Sequence, residues 1–494
     1  MSARVSRRSL KSAGVIVAVC FLAGCSFAPR YKTPRVPVPE SFKEGGIWTR
    51  STPADTLPKG HWWEIYGNSA LNALETRIEV ANPNLAEALA RYDAAQGYLG
   101  ELQAGFFPSV AMGGHSYTNR QSDKRPLRSA SQPTYYGDNL VGGSLLYDID
   151  LWGRVRNAVA AGKAEMQAQA ADLQNVRMSL QAQLADDYVQ LRGLDAQAQL
   201  LGDTIEIYQK ALTLTEDRYK SGIASGLDVG RAETQLEDAK AALSDIASRR
   251  ALLEHAIASL VGEPASTLSI AAENDAIKIP NVPAGIPSLL LERRPDVAAA
   301  ERTVDAMNAG IGVARAAFFP DISLSALAGF QTTGGASLLA APNSYWTLGP
   351  TLALTLFDAG RREGALKVAR ADYDEAAAAY RDRVLRAFQD VEDNLSLLNK
   401  LAEEADSKAL SVQSSSRTAS IAMALYRNGA VSYLDVVTSQ TTALQAQLAA
   451  LNINTRRLEA SVRLIQATGG GWSKQDPLVL GKENIKNISP SGTG

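Results

Sequence analysis

Two short stretches of the chain place a hydroxyl and a carboxylate at the same spacing, just before an apolar helical run. Ser225 lies three residues before Asp228, and Ser432 lies three residues before Asp435. A serine that precedes a helix accepts hydrogen bonds from the free amides of its first turn. An aspartate in that first turn is stabilised by the helix dipole. The pattern therefore predicts helix starts that carry an exposed negative charge.

Each pair belongs to a longer shared pattern, Tyr-x-x-Gly-x-x-Ser-x-Leu-Asp-Val, which runs from Tyr219 to Val229 and again from Tyr426 to Val436. Each copy lies between two long helical runs and is therefore interpreted as the turn of a helical hairpin. The glycine of each copy is expected to end the preceding helix in the left-handed conformation. Capping alone would explain these residues, and a docking surface is the alternative interpretation.

Other chemistry has little support in the sequence. The three histidines, His61, His115 and His255, fall in different elements. We find no zinc-protease, phosphate-loop or nucleophile-elbow pattern. We therefore expect no enzyme activity, no metal and no cofactor. With 494 residues, 46% of them apolar, and a net charge of −2, the chain is also unlike a nucleic-acid-binding protein.

The N-terminus has the features of an export signal over residues 1–24. Basic residues precede an apolar run that is too short to span a bilayer. The run ends in Leu-Ala-Gly-Cys25, which resembles the lipobox of bacterial lipoproteins and predicts a lipidated Cys25. Ser26, in place of an aspartate, is compatible with export to the outer membrane. An incidental cysteine is the alternative, and Arg7-Arg8 leaves general and twin-arginine export both open.

An internal duplication organises the rest of the chain. Asn84 corresponds to Asp296, a separation of 212 residues, and Asp228 corresponds to Asp435, a separation of 207. We assign a Pro-rich extended tether to 25–61 and the first repeat to 62–261. An irregular belt segment covers 262–288, the second repeat 289–472, and a polar tail 473–494.

Both repeats predict the same order of elements. The first has a helix over 85–105, a β-hairpin over about 109–150, a long helix over about 153–219 and a return helix over about 227–260. The second has them over 297–317, about 321–357, about 360–426 and about 434–468. Each long helix spans 67 residues, or about 100 Å. An opening helix stacked end to end on a return helix would nearly match that length.

The strands alternate between one apolar face and one small, polar face. In the third strand, Ile322, Leu324 and Phe330 alternate with Ser323 and Ser325. The fourth strand shows the same alternation, which is expected to continue through Leu354 and Leu356 at its end. Each strand is about ten residues long, which is enough to span a bilayer. A hairpin packed on a soluble core is the alternative. Because four strands cannot close a barrel, membrane-spanning strands would have to be pooled by several chains.

Several motifs together resemble the outer membrane factor (TolC-like) family, and most closely its OprM- and NodT-type efflux lipoproteins. They are the lipobox, Leu-Leu-Glu-Arg-Arg-Pro-Asp-Val over 290–297, Gly-Val-Ala-Arg-Ala-Ala-Phe-Phe-Pro over 312–320, the paired turns and Ala-Thr-Gly-Gly-Gly-Trp over 467–472. The resemblance implies an α+β membrane protein built as a duplicated half-molecule. It implies a homotrimer with a twelve-stranded transmembrane β-barrel, four strands per chain, that continues into a long periplasmic α-helical barrel.

The resemblance also implies that a periplasmic adaptor docks on the two turns. The implied docking residues are Tyr219, Gly222, Ser225, Leu227, Asp228, Val229, Gly429, Ser432, Leu434, Asp435 and Val436. A gate is implied at the second turn, with Tyr426 and Arg427 facing Asp217 or Arg218. An acidic constriction is doubtful, because Ile-Ala-Met-Ala occupies 421–424. Because Tyr433 and Arg427 are bulkier than Gly226 and Lys220, the second hairpin is expected to form the inner gate.

The expected function is the passive outer-membrane channel of a tripartite, RND-type efflux system, lipid-anchored and driven by an inner-membrane pump. The alternative is a structural periplasmic coiled-coil lipoprotein without a pore. The sequence does not identify the exported substrate, the adaptor or the pump.

Overall fold

The computed structural model describes residues 26–39, 41–44, 61–126, 129, 131–273, 277–280, 293–334 and 337–470. The predicted export signal, the predicted lipidation site Cys25 and the polar tail predicted over 473–494 lie outside the described residues. The chain divides into two compact units. The sheet unit comprises the described residues of 1–34, 92–168 and 300–380, and the helical unit comprises those of 35–91, 169–299 and 381–494.

The two repeats form the same series of elements, joined by short or irregular segments. The first repeat contains α1 (Ser69–Ala81), α2 (Pro83–Ala104), β1 (Ser109–Arg120), β2 (Tyr135–Asp148), α3 (Arg154–Lys220) and α4 (Gly226–Leu260). The second contains α5 (Pro295–Ala316), β3 (Asp321–Thr332), β4 (Ser344–Ala353), α6 (Arg361–Arg427) and α7 (Tyr433–Ala467). No helix in the described part of the chain combines the length and the apolar content that a bilayer span needs.

The six predicted helices, α2 to α7, begin and end within two residues of the predicted positions, whereas α1 was not predicted. The last strand is shorter than predicted. β4 ends at Ala353, so Leu354 and Leu356 do not continue the strand alternation. Both leucines are exposed, Leu356 at 87%. The prediction that they belong to the strand is wrong, because the apolar alternation in the sequence continues past the last hydrogen-bonded residue.

The four strands form one antiparallel sheet in the order β1-β2-β3-β4, so the hairpins of the two repeats are joined through β2 and β3. Val141 pairs with Phe330, and Ala326 pairs with Leu348. Paired residues lie on the same face of a sheet. The apolar face carries Val110, Met112, Val141, Leu145, Ile322, Leu324, Phe330, Trp346, Leu348 and Leu352. The polar face carries mainly small and polar residues, among them Asp138, Ser144, Ser323, Ser325, Gln331, Thr347 and Thr351.

The start of the tether is bound to the sheet unit. Phe27 stacks on Phe319 with ring centroids 4.4 Å apart, and Arg315 donates to the Phe27 carbonyl at 3.1 Å. Asn308, two turns earlier on α5, donates to the Pro29 carbonyl at 2.9 Å. The described tether residues, 26–39 and 41–44, form neither helix nor strand, and the extended conformation of the whole tether stays a prediction. Residues 27–29 run antiparallel to α5 along these contacts, which fix the start of the tether against the sheet unit.

The ends of the return helices meet the beginnings of the opening helices inside the helical unit. Asn82, which precedes α2, donates to the Leu260 carbonyl at 2.7 Å. At the equivalent position of the second repeat, Arg294 donates to the Ala467 carbonyl at 3.3 Å. Each junction thus satisfies a helix carbonyl that would otherwise lack a partner. These contacts confirm that opening and return helices meet end to end.

The belt segment is fastened to the helical unit by two arginines. Arg192 donates to the Ala271 carbonyl at 2.7 Å, and Arg250 donates to the Ile270 carbonyl at 2.6 Å. Both guanidinium groups also bind Asp195, a carboxylate that is 4% exposed. Because the buried charges are paired and hydrogen-bonded, removing either arginine would leave Asp195 without adequate compensation.

Asp187 on α3 provides a test of pH-dependent stability. Burial, and secondly the neighbouring Asp186, raise the pKa of Asp187 to about 6. Its ordinary pKa is lower, so the folded protein loses stability from this group as the pH rises from about 4 to above 6. We expect Asp187→Asn to stabilise the protein at pH 8, with the gain disappearing near pH 4. Urea unfolding of the purified protein at a series of pH values measures this effect.

Asp186→Asn is the matched control, because the Asp186 carboxylate accepts a hydrogen bond from Arg463 at 3.1 Å. Asparagine keeps an acceptor oxygen at position 186 but removes the negative charge that pairs with Arg463, so this variant is expected to lose stability at neutral pH. A loss of stability in both variants at pH 8 would contradict the role assigned to Asp187.

Candidate functional site at the two helical turns

Each turn begins with a glycine that ends a 67-residue helix. Gly222 and Gly429 have φ angles of 73° and 76°. The Gly222 amide donates to the Tyr219 carbonyl, and the Gly429 amide donates to the Tyr426 carbonyl, both at 2.9 Å. This left-handed geometry closes the helix ends as the sequence predicts.

The serine and aspartate of each turn fix the start of the return helix. The Asp228 carboxylate accepts from the Ser225 amide at 3.4 Å, and Ser225 Oγ accepts from the Asp228 amide at 3.3 Å. This reciprocal arrangement is a capping box. In the second turn the Asp435 carboxylate accepts from the Ser432 amide at 3.1 Å and from its hydroxyl at 2.8 Å. The structure confirms the capping role of Ser225, and in the second turn the cap is the Asp435 carboxylate on the Ser432 amide.

A buried cluster beneath the turns unites the two hairpins. It contains Tyr208, Ala211, Leu212, Ala232, Leu236, Ala239, Tyr426, Tyr433 and Val436. Val436 is fully buried and Tyr426 is 4% exposed. The apolar contact expected from Val436 is therefore made inside the chain. Within one chain, Tyr426 is a packing residue whose ring lies against Tyr433 at 5.2 Å.

The two turns differ most at one pair of equivalent residues. Gly226 in the first turn leaves room for the Tyr219 ring, which lies 3.7 Å from a Cβ built on the glycine and is 54% exposed. Tyr433 occupies the equivalent position in the second turn and is 1% exposed. Burial, together with Tyr426, raises the pKa of Tyr433 to about 12, so this phenol stays neutral. The first turn therefore leaves Tyr219 exposed beside a glycine, whereas the second turn buries Tyr433 at the position of that glycine.

Arg218 is the direct link between the turns. Its guanidinium carbon lies 4.9 Å from the centre of the Tyr426 ring. Its Nη1 donates to the Arg427 carbonyl at 3.2 Å. Asp217, the other candidate partner from the sequence, instead pairs with Lys220 at 3.7 Å. The Tyr426 hydroxyl donates to Thr215 Oγ1 at 3.4 Å, a contact that the turn pattern did not predict because Thr215 lies outside it.

Apolar side chains remain exposed at both turns. Leu227 is 64% exposed and Leu434 is 48% exposed, and Ile223 beside them is 66% exposed. A groove of about 560 Å³ opens between α4 and α7 next to Leu227. Its lining includes Gly230, Arg231, Asp238 and Val437. The described residues contain no group of three or more metal-binding side chains. The turns thus offer capped backbones, exposed leucines and charges.

Comparisons with known proteins agree on the family. The outer membrane efflux protein model matches residues 76–263 and 286–470. The toluene efflux pump outer membrane protein TtgC of Pseudomonas putida is 31% identical over 462 residues, which cover 93% of this chain and 95% of the relative. The cation efflux system protein CusC of Escherichia coli is 28% identical, with coverage of 92% and 97%.

Solved structures share the same fold. The outer-membrane channel OprN superposes with a TM-score of 0.84 at 28% identity, covering 91% of this chain and 100% of that chain. The outer membrane protein VceC of Vibrio cholerae superposes with a TM-score of 0.79 at 28% identity, with coverage of 84% and 99%. The ranges matched by the family model contain both turns and nearly all of both repeats. The chain belongs to the outer membrane efflux protein family, and its location is the outer membrane.

Proposed function

We propose that the chain forms a passive exit duct from the periplasm to the exterior, as the outer-membrane channel of a tripartite RND-type efflux system. Three copies form a twelve-stranded β-barrel in the membrane, and their helices form a barrel in the periplasm. A periplasmic adaptor docks on the turns, an inner-membrane pump supplies the energy, and lipid on Cys25 anchors the N-terminus. The duct itself performs no catalysis.

The observation that carries this proposal is an amphipathic sheet with two open edges. On the apolar face, Met112, Trp346 and Leu352 are 83%, 78% and 66% exposed. The outer edges of β1 and β4 lack a strand partner among the described residues. A sheet with this apolar face suits lipid, but unpaired backbone groups do not. Pairing β1 of one copy with β4 of the next satisfies these groups and closes a ring.

The names of relatives indicate different exported substrates for one architecture. At 28–31% identity these relatives are named for toluene, cation and pyoverdine export. We therefore leave the substrate unassigned and attribute its selection to the pump. The channel is proposed to set the exit path.

Conductance of the purified protein in planar bilayers tests the proposal. We expect discrete conductance steps and the mass of a trimer. A monomer or dimer without conductance would support the alternative, a periplasmic coiled-coil lipoprotein without a pore. Substitution of Cys25 by alanine is expected to leave an unlipidated precursor, which mass spectrometry detects. A wild-type chain that already lacks lipid by mass would contradict the lipidation of Cys25.

Adaptor docking is proposed at the exposed leucines of the turns. Replacing Leu227 and Leu434 together by serine removes apolar contact area while leaving both serine–aspartate caps intact. We expect at least a tenfold loss of adaptor cross-linking, because each buried leucine contributes about 1.5–3 kcal/mol. Charge reversal at Asp228 or Asp435 is a less specific test, since it would remove a helix cap as well.

Leu252→Ser is the matched control for docking. Leu252 is 65% exposed and lies on the same helix as Leu227, about seven turns away. Cross-linking should be retained in this control, with trimers verified by native mass spectrometry. Retained cross-linking in the Leu227 and Leu434 double variant would mean that the turns act only as helix caps and do not bind the adaptor.

Gating is proposed to depend on Arg218, with the second hairpin as the inner gate. An outward movement of α6 and α7 would have to break the Arg218 contacts with the Tyr426 ring and the Arg427 carbonyl. A cation–π contact contributes about 0.5–2 kcal/mol and a charged hydrogen bond about 1.5–3 kcal/mol. We therefore expect Arg218→Gln to raise the open probability of the channel in planar bilayers by about tenfold or more.

Arg427→Gln provides the comparison, because the Arg427 carbonyl that accepts from Arg218 is unchanged. Its exposed side chain would matter only for contacts with a neighbouring copy. Unchanged open probability in Arg218→Gln would contradict the gating role of Arg218. A larger increase in open probability in Arg427→Gln than in Arg218→Gln would mean that contacts between copies hold the channel closed.

A further inference from the structure

The apolar face of the sheet changes character toward the β1–β2 turn. Its last apolar row is the one in which Gly114 pairs with Val141 and Val141 pairs with Phe330. Beyond that row the same face continues without an aliphatic side chain. We call this part of the face the polar band, and it carries Ser116, Thr118, Arg120, Tyr135, Gly137, Asn139 and Thr332.

The side chains of the polar band form a hydrogen-bonding surface across three strands. Ser116 Oγ donates to Asn139 Oδ1 at 2.6 Å, and Asn139 Nδ2 donates to the Thr332 carbonyl at 3.4 Å. At the far end of the band Arg120 pairs with Tyr135, which is 65% exposed. A tyrosine ring combines an apolar body with a polar tip. The band therefore offers amide and hydroxyl groups, one ring and one guanidinium on a single surface.

Cations predominate at this end of the sheet. Arg120 at the end of β1 and Lys124 in the following turn are both exposed. Neither side chain forms an ion pair within the described residues. Three cations and one carboxylate between residues 120 and 125 give this stretch a net charge of +2. Exposed cations without a carboxylate partner attract anionic groups from the surroundings.

The height of the band in the proposed barrel indicates a thick headgroup layer. From Ile322 to Phe330 the apolar rows advance by eight residues, or about 20 Å in height for a strand tilted by about 40°. Arg120 lies six residues beyond Gly114, and thus about 15 Å above the last apolar row. Phospholipid headgroups extend only about 5–8 Å beyond the hydrocarbon. Arg120 is therefore above a phospholipid headgroup layer and at the level of an oligosaccharide headgroup.

We infer that the polar band binds the phosphorylated oligosaccharide headgroup of an outer-leaflet glycolipid. The inference rests on the proposed channel, in which the helices that follow β2 and β4 lie in the periplasm and the β1–β2 turn faces the exterior. Arg120 and Lys124 bind phosphate, and the Tyr135 ring packs on a sugar. The occupant is a lipid because the band continues the face that contacts hydrocarbon.

Binding of a rough lipopolysaccharide, whose lipid carries a short phosphorylated oligosaccharide, tests the inference. The purified protein in detergent at about 0.1 M salt, where the screening length is about 10 Å, is titrated with this probe, with lipid A that lacks the oligosaccharide and with phosphatidylglycerol. We expect the wild type to bind the rough lipopolysaccharide at least tenfold more tightly than either other lipid. Replacing Arg120 and Lys124 together by glutamine should weaken that binding at least tenfold, since both charged contacts with phosphate are lost.

Arg361→Gln is the matched control, because Arg361 is an exposed arginine at the start of α6, beyond the opposite end of the sheet. Its binding of the rough lipopolysaccharide should equal that of the wild type. Unchanged binding in the Arg120 and Lys124 double variant, an equal loss in Arg361→Gln, or equal wild-type affinity for lipid A would each overturn the inference.

Planar-bilayer recordings from the same preparations separate this inference from the proposed function. Discrete conductance steps together with any of these contrary binding results would overturn the inference and leave the proposed channel intact. Absence of any conductance would overturn the proposed function together with this inference.

Discussion

An arginine at Leu348 is expected to prevent stable insertion of the protein into a bilayer. Leu348 is central in β4, on the apolar face, and 62% exposed. An arginine that faces lipid near the bilayer midplane costs about 2–4 kcal/mol. This corresponds to a loss of about 30- to 1,000-fold in the folded population for each chain. Because three copies would carry the charge in the proposed trimer, the yield of heat-resistant trimer in the outer membrane should fall below detection.

Thr347→Arg is the matched control, one residue away on the polar face of the same strand. Thr347 pairs with Leu327, whereas Leu348 pairs with Ala326. A water-filled interior would solvate the arginine at position 347, so trimer yield should stay near that of the wild type. Equal losses of trimer yield in the two variants would contradict the assignment of the apolar face to lipid. A trimer yield near that of the wild type in both variants would contradict a membrane position for the sheet.

The sequence predicts this sheet well because its period is unambiguous. Alternation of apolar and small residues identifies the strands and their faces, as in Ile322 and Leu324 against Ser323 and Ser325. The sequence does not predict how the two hairpins pair with each other. Their contact depends on the pairing of β2 with β3, residues that lie almost two hundred positions apart, and neither strand carries a local signal for its partner. The end of β4 is set by its own pairing with β3, where Ala353 pairs with Asp321, and not by the apolar pattern.

At the turns, local chemistry is readable from the sequence and packing is not. Ser225 with Asp228, and Gly222 before them, have roles that follow from the first and last turns of a helix. Tyr219 and Tyr426 occupy equivalent places in the repeat, yet one is exposed and the other is buried. The difference comes from Gly226 against Tyr433, which alters the space beneath the ring. The sequence shows that glycine at 226 is replaced by tyrosine at 433, but it does not show which of the two pattern tyrosines is buried.

The helix junctions show the same limit. Gly262 and Gly469 are equivalent in the repeat, but only the structure shows why a glycine is needed there. Their φ angles are 72° and 90°. A Cβ at Gly262 would lie 2.2 Å from the Ala81 carbonyl oxygen, and one at Gly469 would lie 2.3 Å from that of Arg293. Each glycine thus allows the end of a return helix to approach the chain just before an opening helix.

We expect Gly262→Ala to destabilise the protein by about 2–5 kcal/mol. The left-handed conformation contributes about 1–2 kcal/mol of this loss, and the close approach to Ala81 contributes about 1–3 kcal/mol. Gly222→Ala is the matched control, since Gly222 has a φ of 73° and nothing within 4 Å of the added carbon. It should lose only the conformational part.

Urea unfolding in detergent at one fixed protein concentration measures both losses, because the stability of an oligomer depends on concentration. Since the two glycines have nearly the same φ, the difference between the variants isolates the steric contribution of the junction. Equal losses would mean that the chain at Ala81 moves aside at little cost, and that the end-to-end contact of the helices tolerates an extra carbon. A larger loss in Gly262→Ala would establish the junction as a point where the fold depends on close backbone approach.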